Sequence, residues 1–505
     1  MRRAATAPAS ARVWLFLESR LTLDLLWTLV VPVALLVSLN LKVVHPNDFW
    51  WHLRMGEIVL EEGRVPTTDR FSFTHHGEAW VDQNWLMQVF MFAVYRLGGL
   101  PLNIAAHALM VTAGYCWLLV ALKREYGLRP AALATFMGAV VGLPSWAVRP
   151  QGFSFLAFGA LMSLAAGHRR GHRRLLWLAV PLIALWSNCH GVFLYGLLVL
   201  GLYCLSLVAT ALRRAGGMRE ALPWQVVGVV VLSVLALVLN PLGPRGAIEY
   251  VAGFLDPGDV TTRLTSEWQP LTVRTPSGAL FFVSVGLLLL LLTRSRFRPA
   301  LDQGLSLLVF GGLALWAQRN GAWYGFVMAP VVAACLARLW WRRPVRAKGR
   351  VWANGLLTAA LLAGVALSWP GWRARVMPEG RRDLLTPGTP TAAVEFLCEV
   401  APEGTRVFAE QGFASYLIWA CPGRPVFVDT RIDLYLEDDW AEYHAISGAR
   451  FDWEELVGRH SIGVLLLRLG TQQHLVRAAS ASANWAELYR DDRAAVFARA
   501  EAGTE

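Results

Sequence analysis

Long apolar runs decide what this chain can become. A helix needs roughly 20 apolar residues to cross a bilayer, fewer where neighbours or tilt assist, and runs of this kind recur from residue 24 to residue 369. Approximate segments fall at 24–41, 101–122, 131–147, 151–167, 175–188, 190–212, 223–240, 277–293, 304–318, 321–339 and 351–369. That reading gives about eleven spans. Composition agrees, since 55% of residues are hydrophobic, only 16% are charged and the mean hydropathy is +0.42, too apolar for a soluble globular protein. Residues 1–23 carry Arg2, Arg3, Arg12 and Arg20, and no small-residue cleavage site follows the first run. The first span therefore reads as an uncleaved anchor and not as a signal peptide.

Lysine and arginine set the orientation. With the N-terminus in the cytoplasm, the inner loops become "KREYGLR" (123–129), "HRRGHRR" (168–174), "RRAGGMRE" (213–220), "RSRFR" (294–298) and "WWRRPVRAKGR" (340–350), all basic. The outer segments 42–100, 148–150, 188–190, 241–276, 319–320 and everything after 370 mix acids with bases. The net charge of +11 then belongs to anchors facing anionic lipid and gives no nucleic-acid footprint. The expected location is a bacterial inner membrane, N-terminus in and C-terminus out.

The first outer loop, 42–100, is rich in aromatics, acids and histidines. In "WWHLRMGEIVLEEG", Trp51, Met55, Ile58 and Val59 share one helical face, with Arg54, Glu57 and Glu61 opposite. "QNWLMQVFMFAVYRLGG" (83–99) is apolar but too short to span before its Gly pair, and counting it as a span would put every Arg cluster outside. Both stretches read as amphipathic helices on the outer surface, joined by a turn at "GRVPTTD". After about residue 385 the long apolar runs stop. "TRVFAE", "PVFVDT", "IGVLLLRL" and "AAVFARA" read as strands, alternating with helical stretches such as "TAAVEFLCEV" and "DWAEYHAI". The predicted fold is therefore an α-helical polytopic membrane protein over 24–369, a linker at 370–390, and an exported small α/β domain over 391–505. Cys398 and Cys421 both lie in that domain, where an oxidising compartment permits a disulfide. The chain has no CxxC, GxxxxGK[ST], GxSxG or HExxH, which removes the thiolate-metal, nucleotide-pump, serine-hydrolase and zinc-protease readings.

Polar residues at the outer ends of the spans are the functional candidates, because a polar group at membrane depth is costly unless it faces a cavity. Asp48 is the first acid after the first span, and His52 follows one helical turn later. Arg149 lies in "SWAVRPQGF", Asn188 and His190 in "WSNCHGVF", Glu267 in "EWQP" and Arg319 in "AQRNGAWYG". In "RPVFVDTRIDLY", Asp429, Arg431 and Asp433 follow an apolar strand, at the edge where α/β sheets take ligands; an Asp–Arg pair pinning a turn explains them equally. His75 and His76 read as solvated, Asp69 as a turn residue and Asp82 as structural.

The opening span, its terminal acid, the loop and "WLMQVFMFAVYRLGGLPLNIAAHALMVTAGYCWLLVALKREYG" resemble the start of the GT-C membrane glycosyltransferases, the class that includes the protein O-mannosyltransferases and the lipid A aminoarabinose transferases. "DFWWHLRMGE", "PTTDRFSFT", "RPQGFSF", "NCHGVF", "NPLGPRG", "EWQP" and "VFVDTRIDLY", in this order, are similar to a group of bacterial polytopic proteins. The resemblance implies a glycosyltransferase that takes a sugar from a polyprenyl-phosphate-linked donor to an envelope glycan, lipid or protein acceptor. It implies Asp48 as catalytic base. His52, Arg149, Asn188, His190, Glu267, Arg319 and Arg431 would bind substrate, the arginines holding the lipid phosphate. No cofactor is expected; a divalent metal is compatible with the class but not indicated, and no Glu-Lys-Pro-Pro-like motif follows. The competing reading is a non-catalytic membrane protein, either an envelope-precursor transporter or an assembly partner with an exported binding domain. A transporter should carry charges near mid-span in paired half-segments, whereas here they lie at the span ends.

Overall fold

The computed structural model describes residues 18–214, 223–241, 243–255, 263–340, 351–376 and 383–500. The basic segments 213–220 and 340–350 lie largely outside these residues, as does most of the N-terminal stretch. Helix α1 (Leu23–Asn40) is started by Thr22, whose hydroxyl accepts from the Leu25 N–H at 3.2 Å. Helix α2 (Asp48–Glu62) follows and stops at Gly63, whose φ of 66° closes the helix in the left-handed region. Helix α3 (Trp85–Tyr126) runs 42 residues but is broken at Gly98 and Gly99, the second at φ 63° just before Pro101. The stretch predicted to end at this Gly pair is thus a distinct segment leading into a long helix.

Among the described residues, six helices are long and apolar enough to cross a membrane, within 23–40, 85–126, 128–145, 193–213, 276–295 and 318–339. A bent pair, 224–239 with 243–253, would make seven, and Leu301–Trp316 and Val351–Leu367 are shorter apolar helices. These helices do not confirm the expected count of eleven. The predicted span 175–188 is a 3-10 turn, Arg173–Leu178, followed by the eight-residue helix Ala179–Trp186.

Glycines let the central helices touch backbone to backbone, as small residues do where lipid gives no hydrophobic drive. A Cβ on Gly159 would lie 2.0 Å from the Gly114 carbonyl oxygen, and one on Gly325 would lie 2.4 Å from that of Gly138. Around these contacts pack Tyr115, Phe155, Phe158, Trp323 and Phe326, all buried.

The C-terminal domain holds a four-stranded sheet of β1 (Val407–Ala409), β2 (Val464–Arg468), β3 (Trp485–Arg490) and β4 (Ala494–Arg499), in the order β1-β2-β4-β3. β1 and β2 are parallel and the other pairs antiparallel. "TRVFAE", "IGVLLLRL" and "AAVFARA" supply β1, β2 and β4. "PVFVDT" is not a strand of this sheet; Val426 makes only isolated bridges, to Val407 on one side and to Ser72 of the first loop on the other. β3 has no counterpart among the predicted strands. Cys398 and Cys421 are joined in a disulfide.

The first loop does not lie on the membrane surface as expected. The apolar face of α2, Trp51, Met55, Ile58 and Val59, packs with Phe71 and Trp80 against Val394, Leu397, Phe413 and Leu417 of the C-terminal domain. Phe73 N donates to Val426 O at 3.0 Å, and Val426 N to Phe71 O at 3.0 Å. His75, expected to be solvated, is buried between Glu78 of its own loop (2.6 Å) and Asp439 of the domain (2.7 Å). Part of the linker is also docked: Val44 N donates to Leu384 O at 2.8 Å and Thr386 N to Val44 O at 3.0 Å. The loop and the domain share one core.

Candidate active site

Three connections far apart in sequence meet at the start of α2. Asp48 opens that helix, where the unpaired N–H groups of the first turn favour a carboxylate. Arg149 lies between the 3-10 turn Leu143–Ser145 and the helix Gly152–Arg169, and Glu267 lies in the turn Ser266–Trp268. Arg149 Nη1 donates to Glu267 Oε1 at 2.8 Å, while its Nε faces Asp48 Oδ2 at 3.4 Å. Burial disfavours the guanidinium charge, but Asp48 and Glu267 outweigh it and hold Arg149 protonated. The Asp48 contact is the looser of the two, and all three side chains keep some exposure.

Two histidines border this cluster, both neutral. Burial, then Arg149 and Arg431, holds His52 well below its ordinary pKa. Its Nδ1 pairs with Gln88 Nε2 at 3.0 Å. His190 is pushed down by burial, then by Arg319, His52 and Arg149. Ser154 Oγ accepts the indole N–H of Trp186 at 2.8 Å, which turns its own proton toward His190 Nδ1 at 2.9 Å. With Nδ1 an acceptor, the ring proton of His190 sits on Nε2. Arg319 lies over the Trp268 ring, 4.7 Å from its centroid.

Asn188 and Arg431 do not join this group as ligand-facing residues. The Asn188 side-chain oxygen accepts from Trp85 Nε1 at 2.9 Å and its amide nitrogen donates to Ala184 O at 2.8 Å, so the side chain pins the start of α3. Arg431 is 1% exposed at its side chain and pairs with Asp69 and Asp429, each at 2.6 Å. Trp51, Phe71 and Trp80 surround its guanidinium. Of the two readings of this segment, the pinned pair describes Arg431: it joins the first loop to the C-terminal domain and has no surface left for a ligand. Asp69 is a turn residue, accepting from the N–H groups of Phe71 and Ser72, and also one half of that joint.

Asp433, singled out in the sequence beside Asp429 and Arg431, does reach this region. Burial among protein groups raises its pKa, Arg431 lowers it, and Asp429 and Asp48 raise it further, while the residue stays exposed. Its electrostatic interaction with Asp48 brings the C-terminal domain to the site. Tyr250 belongs here too: a Cβ on Gly191 would lie 1.4 Å from its hydroxyl, so the glycine after His190 makes room for that ring. Among the described residues, no three His, Cys, Asp or Glu side chains are placed to hold a metal ion. Arg149, not a cation of that kind, sits between Asp48 and Glu267, so these donors do not fit one.

No family model and no curated protein matches the sequence. Solved structures do match. The chain is similar to the oligosaccharyltransferase AglB from Archaeoglobus fulgidus, in complex with an inhibitory peptide and a dolichol-phosphate: TM-score 0.56, 12% identity, 94% of this chain and 74% of that chain covered. It is similar to ArnT from Cupriavidus metallidurans in the apo state: TM-score 0.52, 15% identity, 97% and 98% covered. It is similar, too, to the arabinofuranosyltransferase AftD from Mycobacteria, with TM-score 0.51, 16% identity, 93% of this chain and 41% of that chain covered. The chain shares the fold of these structures.

Proposed function

We propose that the chain is a membrane glycosyltransferase of the GT-C type that moves a sugar from a polyprenyl-phosphate-linked donor to an envelope acceptor on the outer face of a bacterial inner membrane. The observation that carries this reading is the meeting of Asp48, Arg149 and Glu267 from three distant connections, with two neutral histidines beside them. Arg149 and Arg319 would take the donor phosphate, Arg149 offering a planar fork suited to it. The phosphate competes with Asp48 for Arg149, which the looser 3.4 Å contact allows, and Glu267 keeps the guanidinium in place. Asp48, so released, accepts the proton of the acceptor hydroxyl as its oxygen attacks the anomeric carbon. The bond from that carbon to the phosphate oxygen breaks, and the leaving phosphate keeps the electron pair, its charge met by the arginines and by Nε2–H of His190. Asp433 would meet the acceptor from the C-terminal domain.

Binding of undecaprenyl phosphate to the full chain in nanodiscs tests the donor half of this reading. Arg149→Gln should weaken binding by about tenfold or more, the worth of one hydrogen-bonded charge pair. Equal affinity in the variant, or no binding by the native chain, would overturn it.

A further inference from the structure

Behind the site lies a chain of buried polar groups that the proposed reaction leaves unused. Asp82 is 1% exposed, Gln88 is 0% exposed and His52 is 4% exposed. The Gln88 amide nitrogen donates to Asp82 Oδ1 at 2.8 Å and pairs with His52 Nδ1 at 3.0 Å. Asp82 Oδ2 and Gln88 Oε1 are sealed from solvent with no hydrogen-bond partner among the described residues. Two unpartnered buried oxygens are costly, which keeps an alternative arrangement within reach.

We propose that Asp82, Gln88 and His52 form a relay in which one proton at Asp82 decides which ring nitrogen of His52 carries the ring proton. The proposal rests on the donor reading above, because His52 borders Arg149. With Asp82 ionised, Gln88 gives one hydrogen to Asp82 and the other to His52 Nδ1. The His52 proton then sits on Nε2, a donor suited to a phosphate oxygen. When Asp82 takes a proton from solvent, its new O–H needs an acceptor, which an amide N–H cannot be. The Gln88 amide turns over, and Oε1 accepts from Asp82 O–H and from His52 Nδ1–H. His52 loses its Nε2 proton to solvent as it gains one at Nδ1, so the ring stays neutral and Nε2 becomes an acceptor that repels phosphate.

The charged neighbours fit a neutral ring that changes tautomer. Arg149, Arg431 and His190 face His52 from three other elements, with Asp48 one turn earlier on α2. Arg431 and the Asn84 N–H face Asp82. Burial pushes Asp82 up to about 7, against the pull of Asn84, Gln88 and Arg431, which sets the change near neutrality. The sign is unusual. A histidine that gained charge would bind phosphate better in acid, whereas this relay weakens binding there.

The test is undecaprenyl phosphate affinity from pH 8 to pH 6, compared between the native chain and Asp82→Asn. The ligand's own second ionisation, near pH 6, affects both equally. The amide that replaces the carboxylate still accepts from Gln88 and cannot take up the proton, so the variant stays in the donor arrangement. The native chain should lose about tenfold more affinity than the variant across this range. A second variant, His52→Gln, offers an amide donor at every pH and should lose the same step. Parallel pH dependence in the native chain and either variant, with binding still dependent on Arg149, would overturn the relay alone. Absence of binding at every pH would overturn the donor reading and the relay with it.

Discussion

Replacing Arg431 by methionine should unseat the C-terminal domain from the first loop. Among the described residues, its guanidinium is the sole cation paired with Asp69, and it also holds Asp429; both carboxylates have no exposed side-chain surface. Methionine fills the slot among Trp51, Phe71 and Trp80 but leaves two buried anions facing each other. Removing one partner of a buried ion pair costs about 3–5 kcal/mol. For a unit of this size that is a fall in unfolding midpoint on the order of 10 °C. Tryptophan fluorescence during heating of the detergent-purified chain reads the change directly, since Trp51 and Trp80 line the slot. The triple variant Arg431→Met, Asp69→Asn, Asp429→Asn should recover most of the loss, because the anions are gone and Tyr435 can still donate to position 429 as it does to Asp429 at 2.9 Å. An unchanged midpoint in Arg431→Met, with transfer abolished, would refute this reasoning and return Arg431 to substrate binding.

The His75 clamp gives a pH dependence. Burial lowers its pKa, but the hydrogen bonds to Asp439 and Glu78 outweigh burial and raise it overall. The stabilisation is therefore complete below the ordinary value of about 6.5 and is lost as pH rises through the higher folded value; His75→Gln should flatten the midpoint-against-pH curve over that window, and a curve unchanged by the substitution would contradict the clamp. Cys398 and Cys421 close a loop of sequence separation 23, so Cys398→Ser with Cys421→Ser should cost about 3 kcal/mol, read as a lower midpoint that added reductant does not lower further.

Part of the candidate site is legible in the sequence, for a physical reason. Asp48 and Arg149 follow or separate apolar runs, and polar groups there have few places to go except a shared cavity, whereas Glu267 lies within the long outer segment 241–276. Arg431 misleads because its charge pattern says only that a partner is needed. That partner, Asp69, lies in the first loop, and no local rule links the two. The face of α2 shows the same limit: periodicity marks Trp51, Met55, Ile58 and Val59 as a buried stripe but cannot tell lipid from a folded domain. β3 escapes because "WAELYR" is mostly exposed and lacks an apolar run. "PVFVDT" has the run but ends after a few bridges, where Asp429 turns aside to meet Arg431. Apolar length alone does not fix the span count either, since the run 175–188 folds as a 3-10 turn and an eight-residue helix, Ala179–Trp186, too short to cross a bilayer by itself.

The most direct test of the central claim is the pool of polyprenyl-linked sugars in cells carrying Asp48→Asn, measured by mass spectrometry beside the envelope glycans. The substitution keeps the size of the side chain and removes the base, so the protein should remain abundant in the membrane. The unused donor should accumulate and one envelope glycan should disappear, with both changes reversed by the native gene. Unaltered donor and glycan pools, with the variant present at native abundance, would contradict it.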